Sequence, residues 1–210
     1  MVIPLYDVDP IEGWTKPYVT YGLIATNMLV AVCVLTQPHA TYQSIVSVWA
    51  LIPAVETREL PSNGLFPRDL TLVTSMFLHA NWWHVLSNML FLWIFGDNIE
   101  DAMGHLRFFT FYILCGLGGA AAFVISALHA TGPMLGASGA IAGVMAAYLM
   151  IRPCAKIEIW AFVVPVPVPA MVFIGLWIAT QICMWRYSSL MAWHIGLISV
   201  GQLSVLCSSS

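Results

Sequence analysis

FFTFYILCGLGGAAAFVISALHATGPMLGASGAIAGVMAAYLMI, residues 108–151, runs for 44 residues without an Asp, Glu, Lys or Arg. A helix crosses the hydrocarbon of a bilayer with about 20 apolar residues. The stretch is therefore too long for one span and long enough for two. Thr131-Gly132-Pro133 divides it, because Gly and Pro side by side punctuate a helix.

The rest of the chain repeats this pattern. Residues 17–55, 70–96, 159–185 and 187–210 are also free of the four charged residue types, and each is long enough to cross. Six helices are predicted, at about 19–36, 82–99, 107–128, 138–150, 171–185 and 191–207. Between the first two lies a long loop, 38–69, with Trp49, Pro53, Pro61, Pro67 and the pair Asn63-Gly64. It is expected to lie on the membrane surface. Residues 163–170 carry three alternating prolines, which regular helix does not accommodate, and read as an extended lead-in to the fifth span.

Composition agrees. Of 210 residues, 60% are hydrophobic and 8% charged, against roughly 25% charged in a soluble domain; the mean hydropathy is +0.86. The seven basic residues form no stripe, so nucleic acid is not an expected partner. With the N-terminus inside, Lys16, Arg107, Arg152 and Lys156 fall on one side and Arg58, Arg68 and Arg186 on the other, a weak positive-inside signal. The five cysteines lack CxxC or Cys/His spacing and are expected to be buried free thiols. No secretory n-region precedes the first apolar run, which is expected to be a retained span.

Polar side chains in hydrocarbon are costly and need a partner, a wet cavity or a function. His84 and Asn88 are four residues apart, so they share one face of the second span. His194 stands alone in the sixth. Gly136-Ala137-Ser138-Gly139 follows the Gly132-Pro133 turn and opens the fourth span, whose ~20 Å falls short of a ~30 Å hydrocarbon core. Ser138 then begins its helix some ~10 Å below the outer surface, where irregular backbone is tolerated only inside protein or beside water. The free N–H groups and partial positive charge of a helix N-terminus suit a developing oxyanion.

Amide hydrolysis by serine needs a nucleophile, a base and donors for the carbonyl oxygen. Ser138 fits the first role and His194 the second. The backbone N–H of Ser138 with His84 and Asn88 fits the third. No Asp or Glu lies within the charge-free intervals, so a Ser–His dyad is expected rather than a triad. Plainer explanations compete: small residues at Gly139, Ala140, Gly143 and Ala147 permit close helix packing, and His84 and Asn88 can hydrogen-bond between helices. Joint occurrence on separate spans favours the catalytic reading. His79 and His84 are five apart and would diverge by ~140° on a helix; without HExxH, no metal and no cofactor are expected. His39, His105 and His129 are expected to be solvated or interfacial, and Trp82, Trp83, Trp160, Trp177 and Trp185 to be belt or lipid-facing aromatics.

Within the block from Leu70 to Cys115, HANWWHVLSNMLFLWIFGDNIEDAMGHLRFFTFY resembles the second and third spans of bacterial rhomboids, and GASGAIAGVMAAYL, Gly136 to Leu149, resembles their serine-bearing fourth span. The resemblance covers about 17–201. It implies an all-α, six-transmembrane-helix bundle over 1–210 as a single domain, with core spans in 17–207, in a bacterial plasma membrane. It also implies an intramembrane serine endopeptidase acting on single-span membrane proteins in the lipid bilayer, without a cofactor. Matched residue by residue, it makes Ser138 the nucleophile, His194 the base, and His84 with Asn88 oxyanion donors beside the Gly136, Ala137 and Gly139 loop. The sixth span departs from the family's pattern: Trp193 precedes His194 where Ala is typical, Leu197 stands at the third place after it, and Gly196 comes one position early. A displacement of ~1 Å between His194 and Ser138 would cost ~100-fold in rate, so the alternative is an inactive relative that holds transmembrane clients.

Overall fold

The computed structural model describes residues 2–7, 16–58, 67–161 and 164–183. The chain forms two compact units, Met1–Ala170 and Met171–Ser210. In the first, helices α1 (Tyr18–Leu35), α5 (Trp82–Met103), α6 (His105–Ser126) and α7 (Ser138–Ile151) match the first four expected spans within a few residues at each end. Helix α8 (Ala170–Cys183) begins one residue before the expected fifth span. The sixth expected span, 191–207, lies outside the described residues. Among the described helices, α1 and α6 are long and apolar enough to cross a membrane, whereas α7 and α8 are apolar but shorter.

Helices α1 and α6 carry large apolar side chains on their outer faces as well as on their buried ones. In α1 the buried positions Thr20, Leu23, Asn27, Ala31 and Val34 follow helical spacing, while Tyr18, Leu29 and Val32 are exposed. Leu106, Leu114 and Ile125 are likewise exposed on α6. Buried polar residues facing each other and exposed aliphatic ones facing out are what lipid selects, since only protein can satisfy a polar group there.

Helix α1 packs on α5, and α6 on α7. Close approach at the second contact rests on Gly119 and Gly139, each of which has the other's α-carbon where a Cβ would stand, at 2.9 and 3.2 Å. Phe95 of α5 meets Tyr148 of α7 edge to face, with ring centroids 5.0 Å apart. Gly96 faces Thr20, so α1 and α5 also meet closely.

The long first loop is more built than its proline content suggests. It carries α2 (His39–Trp49), α3 (Pro53–Glu56) and the start of α4 (Arg68–Thr74). Protein contacts order it. Val46 and Ala50 pack with Val34 and Leu78, Met134 donates its N–H to the Leu51 carbonyl at 2.7 Å, and Ala54 donates to Ala130 at 3.0 Å. The loop is thereby fastened to the α6–α7 connection rather than merely resting on a membrane. Residues 59–66, with Pro61 and Asn63-Gly64, lie outside the described residues.

The all-α expectation is corrected by a three-stranded antiparallel sheet in the order β1 (Val2–Asp7), β2 (Lys156–Ala161), β3 (Val164–Pro169). The signal for β2 is alternation: Lys156, Glu158 and Trp160 take one parity, Ile157, Ile159 and Ala161 the other, which is the strand period. In β3 the three prolines also share one parity. The hydrogen bond from Ala170 N–H to the Ala155 carbonyl, with the register Ile157↔Val168 and Ile159↔Val166, puts the valines at the hydrogen-bonded positions. Pro165, Pro167 and Pro169 then lack their donors on the free edge, the one place a sheet tolerates them.

The cysteine expectation needs correction too. Cys33, Cys115, Cys154 and Cys183 are free thiols, but all except Cys115 are exposed rather than buried; Cys207 lies outside the described residues. Trp82 and Trp83 are exposed, as belt aromatics should be.

Candidate active site

Three pieces of chain converge at the beginning of α7. The first is a 3-10 turn, Ser75–Phe77, followed by extended Leu78. The second is the first two turns of α5, whose N-cap Asn81 accepts the His84 N–H at 2.9 Å through Oδ1. Asn before an apolar run is a helix-start signal, and here the cap fixes where His84 enters the helix. The third is the loop Gly136-Ala137. Gly136 donates its N–H to the Ser75 carbonyl at 2.9 Å, which ties the loop to the 3-10 turn.

Gly136 is the meeting point. Its φ of +118° lies in the region that favours glycine. A Cβ there would stand 2.8 Å from both Cε1 and Nε2 of His84 and 3.5 Å from Nδ2 of Asn88. The shared face inferred from the four-residue spacing of His84 and Asn88 is therefore the face turned to this loop. Asn88 is 4% exposed and its Nδ2 has no hydrogen-bond partner among the described residues. A buried amide donor left unpaired costs stability unless something else uses it.

Ala137 is fully buried, Ser138 and Gly139 are half-buried, and Ser138 is the first residue of α7. No side chain caps this helix, so the N–H groups of its first turn are left without an intrahelical acceptor, with the helix dipole behind them. With 14 residues, α7 is ~21 Å long, shorter than the hydrocarbon. His194, the expected base, and its neighbours Trp193, Gly196 and Leu197 lie outside the described residues.

Two relationships escaped the sequence. His79 does not lie on a helix with His84, so the ~140° divergence does not apply; it sits in the extended stretch before Asn81, and the two imidazoles are edge to face with centroids 5.2 Å apart. Among the described residues no group of three or more His, Cys, Asp and Glu side chains converges. Glu100 is a second case. It lies just past a charge-free interval and is fully buried in α5. It stands 16 residues after His84, ~24 Å along the helix, and accepts hydrogen bonds from Val19 N–H, Thr20 N–H and the Thr20 hydroxyl at 2.7 to 2.8 Å. His105, expected to be solvated or interfacial, is half-buried and pairs with the same carboxylate at 2.6 Å, while His39 and His129 are exposed. Glu100 caps α1.

Fold and site together describe a mostly helical protein, two of whose described helices are long and apolar enough to cross a membrane, with His84 and Asn88 set against the loop that opens a short helix. Residues 68–209, more than half the chain, match the Rhomboid domain family, and the chain belongs to the rhomboid family. Rhomboid proteins are integral membrane proteins, usually intramembrane serine proteases, with some inactive members. The chain is 34% identical over 114 residues to "Rhomboid protein 1, mitochondrial" of Saccharomyces cerevisiae, covering 52% of this chain and 31% of that protein. It is 33% identical over 143 residues to "Presenilin-associated rhomboid-like protein A, mitochondrial" of Danio rerio, covering 66% and 33%. With "Rhomboid-like protein 11, chloroplastic" of Arabidopsis thaliana it shares 36% over 89 residues, 41% and 31%. The chain thus spans about a third of the length of these relatives. Their names place them in organelles and lend no support to a bacterial plasma membrane. No solved structure matches.

Proposed function

We propose that the chain is a six-span intramembrane serine endopeptidase that cleaves single-span membrane proteins in or near their membrane segment. The observation that carries this reading is the unpaired amide of buried Asn88 beside the His84 imidazole, both against Gly136 two residues before Ser138. Ser138 Oγ attacks the scissile carbonyl while His194 takes its proton. The carbonyl oxygen becomes an oxyanion that accepts from the Ser138 N–H, His84 and the Asn88 amide. As the C–N bond breaks, His194 gives its proton to the leaving amine. Water then attacks the acyl-enzyme, losing a proton to His194, and Ser138 is regenerated. With Glu100 committed to α1, the machinery is a dyad. Substrates must unwind at the cut, which favours residues of low helix propensity; small side chains there are what the family resemblance implies.

A serine-directed fluorophosphonate applied to the full chain in lipid tests this. Labelling is expected in the wild type, absent in Ser138→Ala and strongly reduced in His194→Ala. Trp193 and Leu197 favour the second reading, a relative that holds transmembrane clients without cutting them. An unlabelled wild type that still retains a single-span protein would establish that reading instead.

A further inference from the structure

His79 is 2% exposed, and neither ring nitrogen has a hydrogen-bond partner among the described residues. The Phe77 carbonyl lies nearby but completes no hydrogen bond of good geometry. A buried imidazole in this condition loses its solvation without recovering it in protein, so its place needs another explanation. Its packing supplies one: the His79 ring meets the His84 ring at 5.2 Å between centroids and 79° between planes. His84 has its backbone N–H fixed by Asn81, yet among the described residues no hydrogen bond fixes its ring. The ring is held by Gly136 on one side and by His79. A terminal sp³–sp² torsion such as χ2 of histidine is broad, so without those walls the imidazole would sweep through orientations that point Nε2 away from the Gly136 loop.

We propose that His79 is a positioning residue that fixes the His84 imidazole through an edge-to-face ring contact. The inference rests on the oxyanion role given to His84 above. What His79 contributes is a flat, rigid ring, not a proton and not a ligand. Phenylalanine can supply that ring and leucine cannot. An edge-to-face pair has the strength to favour one ring orientation by roughly three- to tenfold, and that is the scale of the expected effect on catalysis.

The test uses the full chain in lipid and compares wild type, His79→Phe, His79→Leu, His84→Ala and the His79→Leu/His84→Ala double variant. Fluorophosphonate labelling rate is one readout; the NMR line shape of the His84 ring, after isotopic labelling of histidine, is the other and does not depend on turnover. His79→Leu is expected to slow labelling roughly three- to tenfold, His79→Phe to restore it to within about twofold, and His79→Leu to add nothing in the His84→Ala background. The His84 ring should be ordered in wild type and His79→Phe and mobile in His79→Leu. If the ring signals behave so in a protein that does not label, the proteolytic reading fails and the positioning contact stands. If His79→Phe is as slow as His79→Leu, or the leucine penalty persists without His84, or the His84 ring stays ordered in His79→Leu, the positioning role is overturned.

Discussion

Thr20 offers Glu100 both its backbone N–H and its hydroxyl, each 2.7 Å from Oε2. With Val19 N–H on Oε1 at 2.8 Å, a carboxylate near the end of α5 serves as the N-terminal cap of α1, from 80 residues away in sequence. Removing the charge while keeping the shape, Glu100→Gln, should cost about 1.5–3 kcal/mol, the scale of one charged hydrogen bond. Glu100→Ala should cost about 3–5 kcal/mol. Thermal unfolding in detergent measures both, with α1 the first element to loosen in hydrogen exchange.

Gly136→Ala meets two separate obstacles, the positive φ and the His84 ring. The backbone strain alone is about 1–3 kcal/mol, which the fold can absorb. Displacing His84 by ~1 Å should cost ~100-fold in kcat. A variant that unfolds would show that the fold does not absorb the strain; a folded variant with near-normal activity would show that His84 tolerates displacement.

Asn88→Leu separates chemistry from packing. It removes the unpaired buried amide, so the melting temperature should hold or rise, while loss of one oxyanion donor lowers kcat by ~10²–10³. A fall in stability with unchanged kcat would make Asn88 a structural residue.

Gly119→Val drives a branched side chain into the α-carbon of Gly139. Backbone cannot step aside as a side chain can, so α6 and α7 must part, at about 1–3 kcal/mol. Gly118→Val, where a Cβ meets nothing within 4 Å, is the control and should be nearly silent.

What the sequence disclosed depends on whether the signal was local. The starts of α5 and α7 were legible because charge-free length and a Gly-Pro turn act within one element, and the His84–Asn88 face was legible because helical spacing is fixed. The capping of α1 by Glu100 joins residues 80 apart, and no local pattern announces it. His79 was misread through the assumption that the helix of His84 extended back to it; Asn81, a cap in the sequence itself, marks where that helix begins. Residues 163–170 read as extended, and β3 is extended there; what no local pattern announces is its pairing with β2 and β1, because Lys156 and Glu158 read as punctuation between spans although β2 alternates with period two.

That alternation has an outcome for the sheet as a whole. Every second residue of β3 presents an outer rim with no donor to offer, so on that flank the ladder is a dead end to which no stray segment can zip. Among the described strands, extension by a neighbouring molecule or by an unfolded stretch of this one is left with the side of β1 on which to begin.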